Sequence, residues 1–174
     1  MNRQNWLVAG VAALALTTGL GVATWLRQPG PAQPGAAETL LTTPLPDLQN
    51  RPQILAQHQG KILIVNFWAT WCPPCREEIP VFIDAQAKFG TKGLQFVGVA
   101  LDDARQVGEF AREFGINYPV LIGGISESEA LRKLGNPGGG LPYTLIYDRD
   151  GKLREKIIGG LDQARLERLI APLI

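Results

Sequence analysis

Metal-ligating and disulfide-forming residues are scarce in this 174-residue chain, which has two cysteines, one histidine and one methionine. A structural zinc site ordinarily takes four cysteine or histidine ligands, more than the chain can supply. Two cysteines also exclude the multi-disulfide frameworks of small secreted domains. A charge surplus is missing too. The formal net charge is +1, so nothing marks a nucleic-acid-binding surface. Charged residues make up 19% against 45% hydrophobic, a globular balance that excludes wholesale disorder. The length suits one domain and an appendage.

The appendage is visible in the charge distribution. Residues 1–37 carry Arg3 and Arg27 and no acid, which leaves 15 basic and 16 acidic side chains in residues 38–174. Trp6 to Leu26 is a run of 21 residues without a charge. As a helix it would be about 31 Å long, the thickness of a bilayer core. Trp6 and Trp25 stand at its two ends, where aromatic belts lie at membrane interfaces. A cleaved signal peptide is the competing reading. Its apolar core ordinarily runs about 7–15 residues, and Gly21-Val22-Ala23 offers a small-residue cleavage site. Both readings export the domain. With no cysteine near this segment, lipid attachment through cysteine is excluded. The expected division is a membrane anchor or uncleaved signal at 1–28, a Pro/Gly-rich linker at 29–39 and a globular domain at 40–174.

Within the domain, prolines at 44, 46 and 52 predict short extended pieces and turns over Thr42–Gln57. Lys61–Trp68 is a nearly continuous apolar run and predicts a strand buried on both faces. Pro73 to Phe89 reads as a helix with two prolines in its first turn and a third, Pro80, expected to kink it. Leu94–Leu101 predicts a strand, Ala104–Phe114 a helix and Tyr118–Ile122 a short strand. Ser126 and Glu129 have capping-box spacing for a helix that ends by Gly135. Tyr143–Tyr147 and Leu153–Ile158 read as a hairpin around Asp148-Arg149-Asp150-Gly151, and Asp162 as the cap of a last helix. The order β-α-β-α-β-α-β-β-α predicts an α/β domain with parallel crossovers and a closing antiparallel hairpin. Asp102-Asp103, at a strand end, reads as a helix cap, and His58 as a loop surface residue.

The chemistry sits at the first strand-to-helix junction, Trp71-Cys72-Pro73-Pro74-Cys75-Arg76-Glu77-Glu78. A helix amino terminus presents unpaired N–H groups and a partial positive charge, which stabilise a thiolate. Cysteines so placed have pKa values lowered into the range ~3.5–7.5. Cys72, nearest the loop, is the expected nucleophile, and Cys75, one turn inward, the resolving thiol. A purely structural disulfide would close a very small loop and stabilise little. A copper site through Cys72, Cys75 and His58 is the metal-binding alternative; no metal is expected.

Phe67-Trp68-Ala69-Thr70-Trp71-Cys72-Pro73-Pro74-Cys75 resembles the active site of the thioredoxin superfamily and is most similar to its TlpA/ResA-like, membrane-tethered disulfide reductases. Leu141-Pro142-Tyr143-Thr144, Pro80 and Gly159-Gly160 match further features of that group, so the resemblance covers about residues 40–174. It implies a thioredoxin-like fold, a central mixed sheet flanked by helices. It also implies that Pro142 is a cis-proline facing the cysteines, that the Leu141 backbone pairs with an extended substrate segment, and that Trp71 lines the site, with Trp68 supporting the core. Classical thioredoxins carry an aspartate where this chain has Asn66, so that general base is absent. The TlpA/ResA-like group carries a glutamate at the position of Glu78. Helical spacing puts Glu78 on the side of Cys75, where a buried carboxyl could move the resolving thiol's proton. An exposed first-turn glutamate is the alternative. The peroxiredoxin pattern is not matched, since Thr70 stands two positions before Cys72 instead of three.

The resemblance further implies an extracytoplasmic (periplasmic or equivalent) protein thiol-disulfide oxidoreductase whose redox cofactor is its own Cys72–Cys75 disulfide. A transmembrane thiol electron donor and apocytochrome c are its implied partners. A disulfide-donating oxidase, and a non-catalytic copper-handling or redox-sensing protein, are the alternatives.

Overall fold

In the computed structural model, which describes residues 35–124 and 127–174, the chain enters the fold through a short helix, α1 (Ala36–Thr42). The sequence predicts linker to residue 39 and extended chain beyond Thr42. A seven-residue helix without a side-chain cap is too short to persist alone in water. Tertiary contact holds it. Ala37 is buried, Leu40 and Leu41 pack on the core, and Tyr147 Oη donates to Ala37 O at 2.9 Å. The anchor expected at 1–28, the linker up to residue 34 and the cap expected at Ser126 lie outside the described residues. Among the described residues no helix is long and apolar enough to cross a membrane.

Two residue pairs, β1 (Leu45–Pro46) and β2 (Pro52–Gln53), form a small antiparallel hairpin, kept short by prolines that cannot donate to a ladder. A single 3-10 turn over Leu55–His58 leads into β3 (Ile62–Trp68), in which every residue is buried, as its continuous apolar run requires. Then come α2 (Pro73–Phe89), β4 (Leu94–Ala100), α3 (Ala104–Glu113), β5 (Val120–Ile122), α4 (Glu127–Lys133), β6 (Tyr143–Tyr147), β7 (Leu153–Ile158) and α5 (Gln163–Ile170). Helix α2 runs through Pro80. The predicted β-α-β-α-β-α-β-β-α order is the observed one from β3 onward.

The main sheet has the order β5-β4-β3-β6-β7, with β3 at its centre. Strand β3 runs parallel to β4, pairing Trp68 with Ala100, and antiparallel to β6, pairing Asn66 with Thr144. The sheet is therefore mixed and carries helices on both faces, the thioredoxin-like arrangement. Alternation along β3 divides the core. Leu63, Val65 and Phe67 join the cluster that includes Leu131 of α4 and Leu134 just beyond it, whereas Ile62 and Ile64 join Phe82 of α2 and Leu166 of α5. Asn66 shares the period of Ile62 and Ile64, which turns a polar side chain toward α2. At Gly98 of β4 a Cβ would lie 2.8 Å from Trp68 Nε1, so glycine makes room for the indole. Gly151, at φ +76°, closes the β6–β7 turn in a conformation that glycine adopts without strain.

Candidate active site

The end of β3 delivers the cysteines. After Trp68 the chain makes a tight turn, closed by Cys72 N donating to Ala69 O at 3.2 Å, and Cys72 becomes the extended N-cap residue of α2. Cys72 and Cys75 form a disulfide. Cys75 has no exposed surface and Cys72 only 3%, so Cys72 is the sulfur that a partner reaches first. The helix end is poorer in donors than a generic one. Pro73 and Pro74 carry no N–H, and Arg76 N already donates to Cys72 O at 3.2 Å. The Cys75 N–H is the first-turn donor left for a Cys72 thiolate, together with the helix dipole.

The residues expected around the pair sit close to it along the chain or in the packing. The Leu141–Pro142 peptide is cis, and Pro142 is buried. Leu141 packs against the cluster that holds Trp68, Cys72, Cys75, Ile79 and Phe110. Gly159 N donates to Pro142 O at 2.9 Å, so the glycine pair before α5 borders the same loop. Trp71 is 66% exposed and supports no core; it stands over a groove of about 760 Å³ that Leu141, Gly140 and Asp102 also line. Trp68 is buried and packs on Phe110 at 5.3 Å between ring centroids.

Glu78 is 2% exposed, which removes the reading of a solvated first-turn glutamate. It lies three residues after Cys75 on α2, a spacing that brings Cβ atoms to about 5–6 Å. Its carboxylate is held at both oxygens: Asn66 Nδ2 donates to Oε1 at 2.8 Å, and Leu161 N donates to Oε2 at 3.0 Å. Asn66 Nδ2 also donates to Thr144 Oγ1 at 3.0 Å. Burial disfavours the charged form and outweighs the two hydrogen bonds that favour it, so the Glu78 carboxyl is raised from 4.5 to about 7. A carboxyl with that pKa exchanges protons near neutral pH, as an acid–base group must.

Three features differ from the sequence expectations or go beyond them. Asn66 is the donor that orients Glu78, a role signalled only by its place on the α2-facing period of β3. Of the Asp102-Asp103 pair, only Asp103 caps α3, accepting from Arg105 N and Gln106 N. Asp102 instead accepts from Thr70 N at 3.1 Å and from Thr70 Oγ1, reaching the turn before Cys72. His58 is half-buried, at the opposite end of β3 from Cys72, roughly 20 Å away at ~3.3 Å per strand residue. It cannot complete a copper site with the two sulfurs, and among the described residues no group of three or more His, Cys, Asp or Glu is placed to hold a metal ion.

Comparison with known proteins agrees with this geometry. The AhpC/TSA family is matched over residues 37–156. The thiol-disulfide oxidoreductase ResA of Bacillus thuringiensis (strain Al Hakam) is 32% identical over 123 residues, covering 70% of this chain and 68% of the relative. ResA of Geobacillus thermodenitrificans is 30% identical over 125 residues, covering 71% and 70%. Among solved structures, a thiol:disulfide interchange protein of the thioredoxin family from Chlorobium tepidum TLS matches with a TM-score of 0.67 at 30% identity, covering 83% of this chain and 99% of that one.

Proposed function

We propose that this chain, which belongs to the AhpC/TSA family and is a thiol-disulfide oxidoreductase of the ResA type, reduces protein disulfides outside the cytoplasm while anchored by its amino-terminal segment. The observation that carries the reading is the Cys72–Cys75 disulfide at the start of α2, beside an open groove and backed by a buried carboxyl that titrates near neutrality.

In the working direction the pair starts reduced. The Cys72 thiolate attacks one sulfur of a substrate disulfide, forming a mixed disulfide and releasing the other sulfur as a thiolate. Cys75 then loses its proton and attacks Cys72 Sγ, which frees the second substrate thiolate and leaves the Cys72–Cys75 disulfide. Two electrons have passed to the substrate, and its two thiolates take up protons from solvent. Glu78 accepts the Cys75 proton in this step and returns it when the pair is reduced again, while Asn66 and Leu161 N hold its carboxylate in place. Trp71 and Leu141 border the groove that takes the substrate segment, with the Leu141 backbone next to the cis peptide available for pairing.

The chain has two cysteines, so re-reduction needs an external dithiol. For an exported domain that donor is a transmembrane thiol transporter, and the substrate we assign by resemblance is an oxidised apocytochrome c. The uncharged Trp6–Leu26 run supports the anchor and the exported location.

The test is stoichiometric. Reduced full-length protein mixed with oxidised insulin should lose two thiols for every two that appear on insulin, and Cys72→Ser should abolish the transfer. Thiols that persist in the wild-type protein beside insulin would overturn the reading. A membrane-impermeant maleimide should label the reduced domain in spheroplasts without lysis; labelling only after lysis would overturn the location.

A further inference from the structure

We infer that Asp102 is a positioning residue for the nucleophile, clamping the turn that presents Cys72. The inference rests on Cys72 being the attacking thiol, as proposed above. The turn Ala69-Thr70-Trp71-Cys72 has Thr70 and Trp71 at its centre, and no core contact fixes Trp71. Thr70 is fixed from outside the turn, because both its N–H and its hydroxyl donate to Asp102 Oδ2. Asp102 is fixed in turn: its other oxygen, Oδ1, accepts from Asp103 N at 2.8 Å, and Asp103 caps α3. One residue earlier, Leu101 N donates to Trp68 O at 2.8 Å, joining the ends of β3 and β4. The start of α3 is thereby tied through two aspartates to the residue two positions before the nucleophile.

The donor pattern requires a carboxylate. Three donors converge on two oxygens: Thr70 N and Oγ1 on Oδ2, and Asp103 N on Oδ1. An asparagine would offer one oxygen and turn its NH2 toward a donor on the other side, whichever way it is flipped. A cap for α3 alone does not explain this, because Asp103 already supplies it. Loss of the clamp releases the turn that sets Cys72 against the α2 amino terminus, so it acts on the reactivity of Cys72 more than on the fold.

The experiment uses the reduced full-length protein and two readouts: insulin reduction, and alkylation of Cys72 by iodoacetamide in a Cys75→Ser background. Thr70→Val is close to isosteric, keeps the Asp102 charge and removes the hydroxyl; it should slow both reactions about tenfold, the size expected for losing one hydrogen bond to a charged group. Thr70→Ser keeps the hydroxyl and should stay within about twofold of wild type. Asp102→Asn should slow insulin reduction to a similar degree, and the Thr70→Val, Asp102→Asn double variant should be no slower than the worse single one, because both break one linkage. Thermal melting monitors folding in parallel. The inference is overturned if Thr70→Val reacts at the wild-type rate, if Thr70→Ser is as impaired as Thr70→Val, or if the losses match a fall in the folded fraction. If wild-type protein alkylates normally but leaves insulin oxidised, the proposed function fails, while the alkylation series still decides the role of the clamp.

Discussion

Replacing Glu78 with glutamine isolates the energetic consequence of burying that carboxyl. Glu78 is raised from 4.5 to about 7 because the charged form loses its hydration in the core. At ~1.36 kcal/mol per pH unit, this difference between the folded and unfolded chains is worth about 3 kcal/mol. The sign follows from which form the fold prefers. The folded state favours the protonated carboxyl, so the stability it contributes is fully present below about 4.5 and is lost as pH rises through about 7. Glutamine has no charge to bury. Unlike protonated glutamate, whose hydroxyl oxygen still accepts, it satisfies only one of the two donors, Asn66 Nδ2 and Leu161 N, and presents a hydrogen to the other. That local cost is the same at every pH, so it offsets the whole series without changing its slope. Between about pH 4.5 and about pH 8 the stability difference between Glu78→Gln and wild type should move toward the variant by about 3 kcal/mol. Urea unfolding of the oxidised proteins at half-unit steps from pH 4 to 9 measures the difference, in which the shared titrating groups cancel. A flat difference would refute the burial argument. A difference that moves in favour of wild type as pH rises would show that the two hydrogen bonds outweigh desolvation.

Other substitutions test neighbouring claims. Asn66→Ala removes a donor that favours charged Glu78, so the same pH series should show the Glu78 titration moved further up, with a loss of about 2 kcal/mol at pH 8 from the unpartnered Glu78 and Thr144 oxygens. Trp71→Ala should change stability by no more than about 0.5 kcal/mol, because the side chain is 66% exposed, yet raise KM in insulin reduction; an unchanged KM would remove Trp71 from the substrate surface. Cys75→Ser should accumulate a mixed disulfide between Cys72 and substrate, visible as a reducible band on non-reducing gels, whereas Cys72→Ser should give none.

Legibility from sequence followed the range of the interactions. The boundaries of α2 at Pro73 and Phe89 could be read because a buried strand, two first-turn prolines and a following glycine punctuate the chain locally. The α1 helix could not, since what holds it is the hydroxyl of Tyr147, 110 residues away. Helical spacing placed Glu78 on the side of Cys75, but its burial depends on Leu161, 83 residues on, and on Asn66 of the central strand. Asn66 read as a missing base because its partner belongs to another element. The Asp102–Thr70 link spans 32 residues, and an aspartate beside a helix start looks like a cap until its neighbour is seen to fill that role.

The measurement that bears most directly on the central claim is the equilibrium reduction potential of the Cys72–Cys75 couple in the full chain, poised against glutathione or dithiothreitol and read by thiol alkylation. A protein disulfide reductase requires a value near or below about −220 mV, at which the pair gives electrons to substrate disulfides and depends on a continuous supply. A value near about −120 mV would contradict the account and mark the chain as a disulfide donor, with the same residues working in reverse.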